Sequence, residues 1–140
     1  MLGIALEGGG AKGAYHIGAI KACMEMGYYP PQAIAGASIG AMNAAMIAQG
    51  DFEQAEELWK NVSGSDVFSE QDEKLINANF RKLDVGEIAD LLSTARAVIA
   101  AGGVDNTNMK GFIDRYVDPH KLMESPIDFG IVTFALPEFK

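Results

Sequence analysis

The sequence predicts an α/β fold built on a parallel sheet, and three observations carry that expectation. Residues 2–6 are a short apolar run that gives way, after Glu7, to three consecutive glycines. Apolar residues then recur at helical spacing. A second run of small residues, 33–37, opens into another glycine-flanked turn. Strand, loop, helix and strand in that order make a βαβ unit, whose crossover joins parallel strands.

Each element has its own local reason. From about residue 11 to residue 26, Ala14, Ile17, Ile20 and Met24 recur at helical spacing, and Gly27 stands where a left-handed C-terminal cap belongs. Residues 28–32 make the return, because Pro30 and Pro31 exclude regular hydrogen-bonded structure. Residues 33–37 suit a strand covered on both faces. The next helix, 39–49, is apolar on nearly all sides, as deep packing requires, and Gly50 closes it. Asp51 with Gln54, and Asp84 with Glu87, have the spacing of capping boxes and predict helices over 52–61 and 85–100. The polar stretch 63–83 reads as loop with an exposed helical piece. Thr107 is placed to cap a helix carrying Met109, Phe112, Ile113 and Tyr116, and residues 127–136 alternate as a third strand does.

Composition narrows the function classes. The chain has 140 residues, 49% hydrophobic and 21% charged, which suits one globular domain and argues against disorder or coiled coil. A net charge of −8 repels nucleic acid, so no nucleic-acid partner is expected. A single cysteine, Cys23, excludes an internal disulfide and a cysteine-built zinc site, and no metal or cofactor is expected; its own reading is a small hydrophobe on a helix. Met1 is followed by neither a basic segment nor a long apolar one, so a cytoplasmic location is expected. Residues 26–50 carry no charge, but Pro30, Pro31, Asn43 and Gln49 interrupt them, against a membrane-spanning reading. Glycine is the outlier: nine of the sixteen lie in the first forty positions, where close backbone approach is implied.

The first chemical constellation is Glu7-Gly8-Gly9-Gly10-Ala11-Lys12-Gly13, between a strand and a helix N-terminus. Amides there have no intrahelical partner and, without Cβ atoms in the way, can converge on an oxyanion or a phosphate oxygen. Gly8, Gly10 and Gly13 fit G-x-G-x-x-G, yet the dinucleotide reading needs an acid at the end of the second strand, and none stands between Glu25 and Asp51. A phosphate-binding P-loop fails because Ala14 stands where its lysine should. The second constellation is Gly36-Ala37-Ser38-Ile39-Gly40, a G-x-S-x-G between strand and helix. That is the context of a nucleophile elbow, in which flanking small residues permit a strained turn that exposes the serine Oγ. The plainer alternative is a turn whose Ser38 only caps the helix.

Together the two motifs resemble those of the patatin-like phospholipases, G-G-G-x-[K/R]-G followed by G-x-S-x-G. The resemblance is strong over the first fifty residues. It implies a three-layer α/β/α sandwich with a mainly parallel sheet and a serine acyl-ester hydrolase acting on lipid esters. It makes Ser38 the nucleophile and Gly8, Gly9, Gly10, Ala11, Lys12 and Gly13 the oxyanion hole, with Gly36, Ala37, Ile39 and Gly40 forming the elbow. Peripheral contact with a membrane is compatible with such a substrate. The family's acid lies in a D-G-[G/A] motif, and no Asp in this chain precedes a Gly. The dyad acid is therefore expected beyond residue 140, and the chain is expected to be the N-terminal part of a single, longer domain. Two other readings stay open at this point: a non-catalytic anion or nucleotide binder, and a catalytically silent incomplete domain.

Other side chains carry less. His16 is placed to pack, to lie at the surface or to touch substrate, and Lys12 to bind an anionic headgroup or to brace its own loop. His120 with Asp114 or Asp118 offers a triad in an unusual order. Met24, Met26, Met42 and Met46 read as core filler, and Trp59 as a packed anchor.

Overall fold

A computed structural model describes residues 1–63 and 107–133. The chain divides into two compact units, Met1–Asn61 with Arg115–Lys140, and Val62–Asp114. The first unit holds a three-stranded sheet in the order β1 (Gly3–Leu6), β2 (Ala33–Ala37), β3 (Asp128–Val132), with both pairings parallel. The α/β class with a parallel sheet is as the sequence predicts. Its helices are α1 (Gly13–Glu25), α2 (Ile39–Ala48), α3 (Phe52–Asn61) and the short α5 (Pro119–Met123). Helix α4 (Thr107–Tyr116) makes up most of what is described of the second unit; Phe112 is buried and Ile113 exposed.

Register decides where chemistry can sit. Leu6 pairs with Gly36, and Gly36 with Ile131, so β1 and β2 end side by side. The glycine cluster and the G-x-S-x-G turn therefore leave the sheet at adjacent positions on its carboxyl edge, where open α/β sheets bind ligands.

Helix α2 is the hub. It packs against all three strands and against α1 and α3. Gly40 and every residue from Met42 to Ala48 are buried, the pattern of a helix that is apolar all round because it has no solvent face. Burial of Ile20, Ile34, Met46 and Ile47 places the core between this helix, β2 and α1. Amphipathic α3 buries Phe52, Ala55 and Leu58, three residues apart, and turns its charges outward. The polar C-terminal end of α2 anchors the segment that returns to β3. Gln49 donates to Asp51 Oδ2 at 2.7 Å and to the Tyr116 carbonyl at 2.8 Å, and accepts from the Asp118 amide at 2.9 Å. Ser125 Oγ donates to the Ala48 carbonyl at 2.6 Å.

Several expectations need adjusting. A 3-10 turn (Gly10–Lys12) precedes α1, so the helix begins at Gly13 rather than Ala11. Ala14 faces solvent, because the buried stripe of α1 runs through Gly13, His16, Ile17 and Ile20 at i, i+3, i+4 and i+7. Met42 and Met46 are core residues, but Met26 is exposed beyond the end of α1. Asp51 precedes α3 as expected, yet its carboxylate pairs with Gln49 and with Lys121 Nζ at 2.8 Å, outside the capping-box pattern. Thr107 is the first residue of α4, not a residue before it. Strand β3 covers 128–132 of the expected 127–136, and residues 134–136 lie outside the described residues. So do the helix expected over 85–100 and nearly all of the polar stretch 63–83. Gly27 and Gly50 do adopt the positive φ that ends α1 and α2, +78° and +86°.

Candidate active site

Ser38 occupies the junction of β2 and α2 at φ +52°, ψ −127°, and it is the one non-glycine residue with positive φ among the described residues. Such a backbone costs of order 1–3 kcal/mol and persists only where its surroundings impose it. Here they do. A Cβ on Gly36 would lie 2.3 Å from the Gly40 carbonyl carbon and oxygen, and a Cβ on Gly40 would lie 2.4 Å from the Glu7 carbonyl oxygen. Strand β2, the first turn of α2 and the end of β1 thus meet backbone to backbone, and only hydrogen fits between them. The serine carbonyl starts the helix, accepting from the Ala41 amide at 2.9 Å. Its hydroxyl makes no capping bond, and the residue is exposed. The plainer reading, a serine kept for capping, does not hold.

The glycine loop lies against this turn. A Cβ on Gly8 would be 3.3 Å from Ser38 Cβ and 3.4 Å from the Ala37 carbonyl, so the loop backbone runs in contact with the serine. Gly9 and Gly10 take φ +142° and +56°, conformations that glycine enters freely. The Lys12 amide donates to Gly9 O at 3.2 Å and the Gly13 amide to Gly10 O, which closes the 3-10 turn. The amides of Gly8, Gly9, Gly10 and Ala11 have no acceptor among the described residues. Lys12 Nζ stands 3.9 Å from Glu7 Oε1, and both side chains are mostly exposed, so this pair contributes at most about 1 kcal/mol.

Behind the loop lies a buried polar knot that sequence reasoning missed. Asn43, fully buried on α2, donates from Nδ2 to the Gly13 carbonyl at 2.9 Å and lies 3.3 Å from His16 Nδ1. Trp59 Nε1 donates to Asn43 Oδ1 at 2.8 Å. The indole ring also presses on Gly13, where a Cβ would sit 2.2 Å from Cζ2. Trp59 is the packed anchor expected of it, and His16 is buried rather than at the surface. The available signal was Asn43 itself: an amide within the apolar run of a fully buried helix must find partners.

Several polar groups away from the turn are engaged with one another or with backbone. Lys21 on α1 pairs with Glu56 on α3; the shared hydrogen bond and the opposite charge raise the lysine pKa and lower that of the carboxyl. Burial, aided by Glu53, pushes the Tyr29 phenol up. Asp118 caps α5, accepting from the His120 amide at 2.9 Å, so its carboxylate is engaged with backbone; the His120 side of that triad is exposed. Cys23 is half-buried on α1. Among the described residues no cluster of metal-ligating side chains occurs, and no helix is long and apolar enough to cross a membrane.

No curated protein and no solved structure matches the chain. The family described as patatin-like phospholipase does, over residues 4–139, and with nearly its whole length so matched the chain belongs to that family.

Proposed function

We propose that this chain carries the nucleophile and oxyanion hole of a serine acyl-ester hydrolase whose substrates are lipids or related acyl esters. The observation that carries the reading is the strained, uncapped Ser38 with the glycine loop packed against it. In the reaction, Ser38 Oγ gives up its proton and bonds to the ester carbonyl carbon. The carbonyl oxygen becomes an oxyanion, which the free amides among Gly8, Gly9, Gly10 and Ala11 stabilise, while those of Lys12 and Gly13 hold the turn. Collapse breaks the bond to the alcohol, which leaves protonated, and water then releases the acid from the acyl-serine. Each well-aimed donor of this kind is worth roughly 2.7–4 kcal/mol in the transition state.

No side chain among the described residues is hydrogen-bonded to Ser38, and no general base is assigned. Turnover by these residues alone is accordingly expected to be slow, a serine hydroxyl being a weak nucleophile at its free pKa. Covalent labelling needs less than turnover. A fluorophosphonate probe should form one Oγ–phosphorus bond with loss of fluoride, and peptide mass spectrometry should place the adduct on Ser38. Ser38→Ala should abolish it; equal labelling of that variant, or an adduct elsewhere, would remove the proposal.

A further inference from the structure

We infer that Asn43 is a positioning residue that fixes the glycine loop relative to Ser38; the inference rests on the hydrolase reading and deepens it. Helix α2 begins immediately after Ser38, so Asn43, little more than a turn further on, moves rigidly with the nucleophile. Its Nδ2 donates to the carbonyl of Gly13, the last residue of the loop and the first of α1. One buried side chain thus ties together the two segments whose relative placement sets where the loop amides point.

The orientation of that amide is dictated by its partners. Trp59 Nε1 is a donor and nothing else, so the atom 2.8 Å from it is the Asn43 oxygen. The two Nδ2 hydrogens then face the Gly13 carbonyl and His16 Nδ1. With the amide reversed, oxygen would meet the Gly13 oxygen and N–H would meet the indole N–H. Because Nδ1 must accept, the His16 ring carries its proton on Nε2. Asn43 has every polar atom used, and no buried polar side-chain atom among the described residues lacks a partner. Burial strengthens such a network, and a misplacement of about 1 Å at a reacting centre can lower a rate roughly a hundredfold.

A purely structural asparagine would stabilise the whole domain and leave the loop no worse than the sheet. The test uses the 140-residue chain with Asn43→Ala, Trp59→Phe, His16→Leu and His16→Asn, the last keeping an acceptor near the place of Nδ1. Backbone 15N order parameters of residues 8–13 are compared with those of β1 and β2, and fluorophosphonate labelling is resolved into its saturating rate and half-saturating concentration. In Asn43→Ala the loop should fall from about 0.85 to below about 0.6 with the strands unchanged. The saturating rate should drop roughly tenfold to a hundredfold at an unchanged half-saturating concentration. His16→Leu should show a smaller loss in both, and His16→Asn should restore it. Imidazole 15N shifts of the unsubstituted chain should show the Nε2–H tautomer.

An unchanged loop in Asn43→Ala, a loop and sheet that loosen together, or the other tautomer would overturn the inference. Should Asn43→Ala not fold, Trp59→Phe decides by the same comparison, since it keeps a ring against Gly13 and removes only the donor to Asn43. An adduct that survives Ser38→Ala would sink the hydrolase reading instead, and the order parameters, which need no adduct, would still decide whether Asn43 positions the loop.

Discussion

At Ser38 the backbone is held in a conformation that its side chain disfavours, and the neighbouring glycines are what hold it there. Their individual roles differ enough to be separated by substitution. Gly36→Ala and Gly40→Ala would drive a methyl into backbone atoms that cannot move without moving β1 or α2. Each is expected to destabilise by about 1–3 kcal/mol or more, and to displace the turn. Gly18, exposed within α1 with nothing within 4 Å of where a methyl would stand, should do the reverse: Gly18→Ala is expected to gain about 0.5–1 kcal/mol through helix propensity. Urea titrations of the three variants check the contrast, and a loss at Gly18 matching that at Gly36 would contradict the close-approach account. The G-x-S-x-G pattern was legible in the sequence, but not which atoms its glycines let through: those of Gly40 itself and Ala41 at Gly36, and those of Leu6 and Glu7, from a distant strand end, at Gly40.

Among the elements, α2 does the most. It starts at the candidate nucleophile, supplies the core through Met46 and Ile47, and reaches the glycine loop through Asn43. Its neighbours α1 and α3 are joined at the surface by Lys21 and Glu56. Glu56 has its pKa lowered below 4.5, so its share of stability is present above 4.5 and is lost as pH falls through the lowered value. Lys21 has its pKa raised above 10.5, so its share is present below 10.5 and is lost as pH rises through the raised value. Lys21→Met should therefore lower stability by a small amount that is flat between those limits and shrinks at acid pH. Denaturation midpoints across pH measure it; a deficit that grows below pH 4.5 would contradict the pairing. The positions of α1 to α4 were legible because apolar spacing and cap residues are local signals, whereas the short α5 was not foreseen. The start of α1 was not, because the 3-10 turn is set by Lys12 and Gly13 amides bonding back to Gly9 and Gly10.

For the domain as a whole, the parallel register of β1, β2 and β3 puts two turns, far apart in the chain, on one edge of the sheet. Keeping that edge intact depends on the packing beneath it. Ile47, fully buried where α2 lies over the strands, is expected to cost about 2–5 kcal/mol when changed to Ala, as a cavity that close-packed neighbours cannot fill. Thermal unfolding of Ile47→Ala checks this, and a change no larger than that of an exposed residue such as Ala14 would show the core to lie elsewhere.

The sequence by itself determined the order β1, α1, β2, α2 and α3, the α/β class, the two glycine-framed turns and the family. These follow from signals read within a few residues: apolar periodicity, missing Cβ atoms and cap positions. Only the tertiary structure decided that Ser38 is strained and uncapped, that Gly8 lies against it, and that Asn43, His16 and Trp59 meet behind Gly13. Those facts depend on which side chains of three different helices point into one buried space. Periodicity places a residue on a face, whereas the partner of a buried polar atom is fixed by packing between elements far apart in the chain.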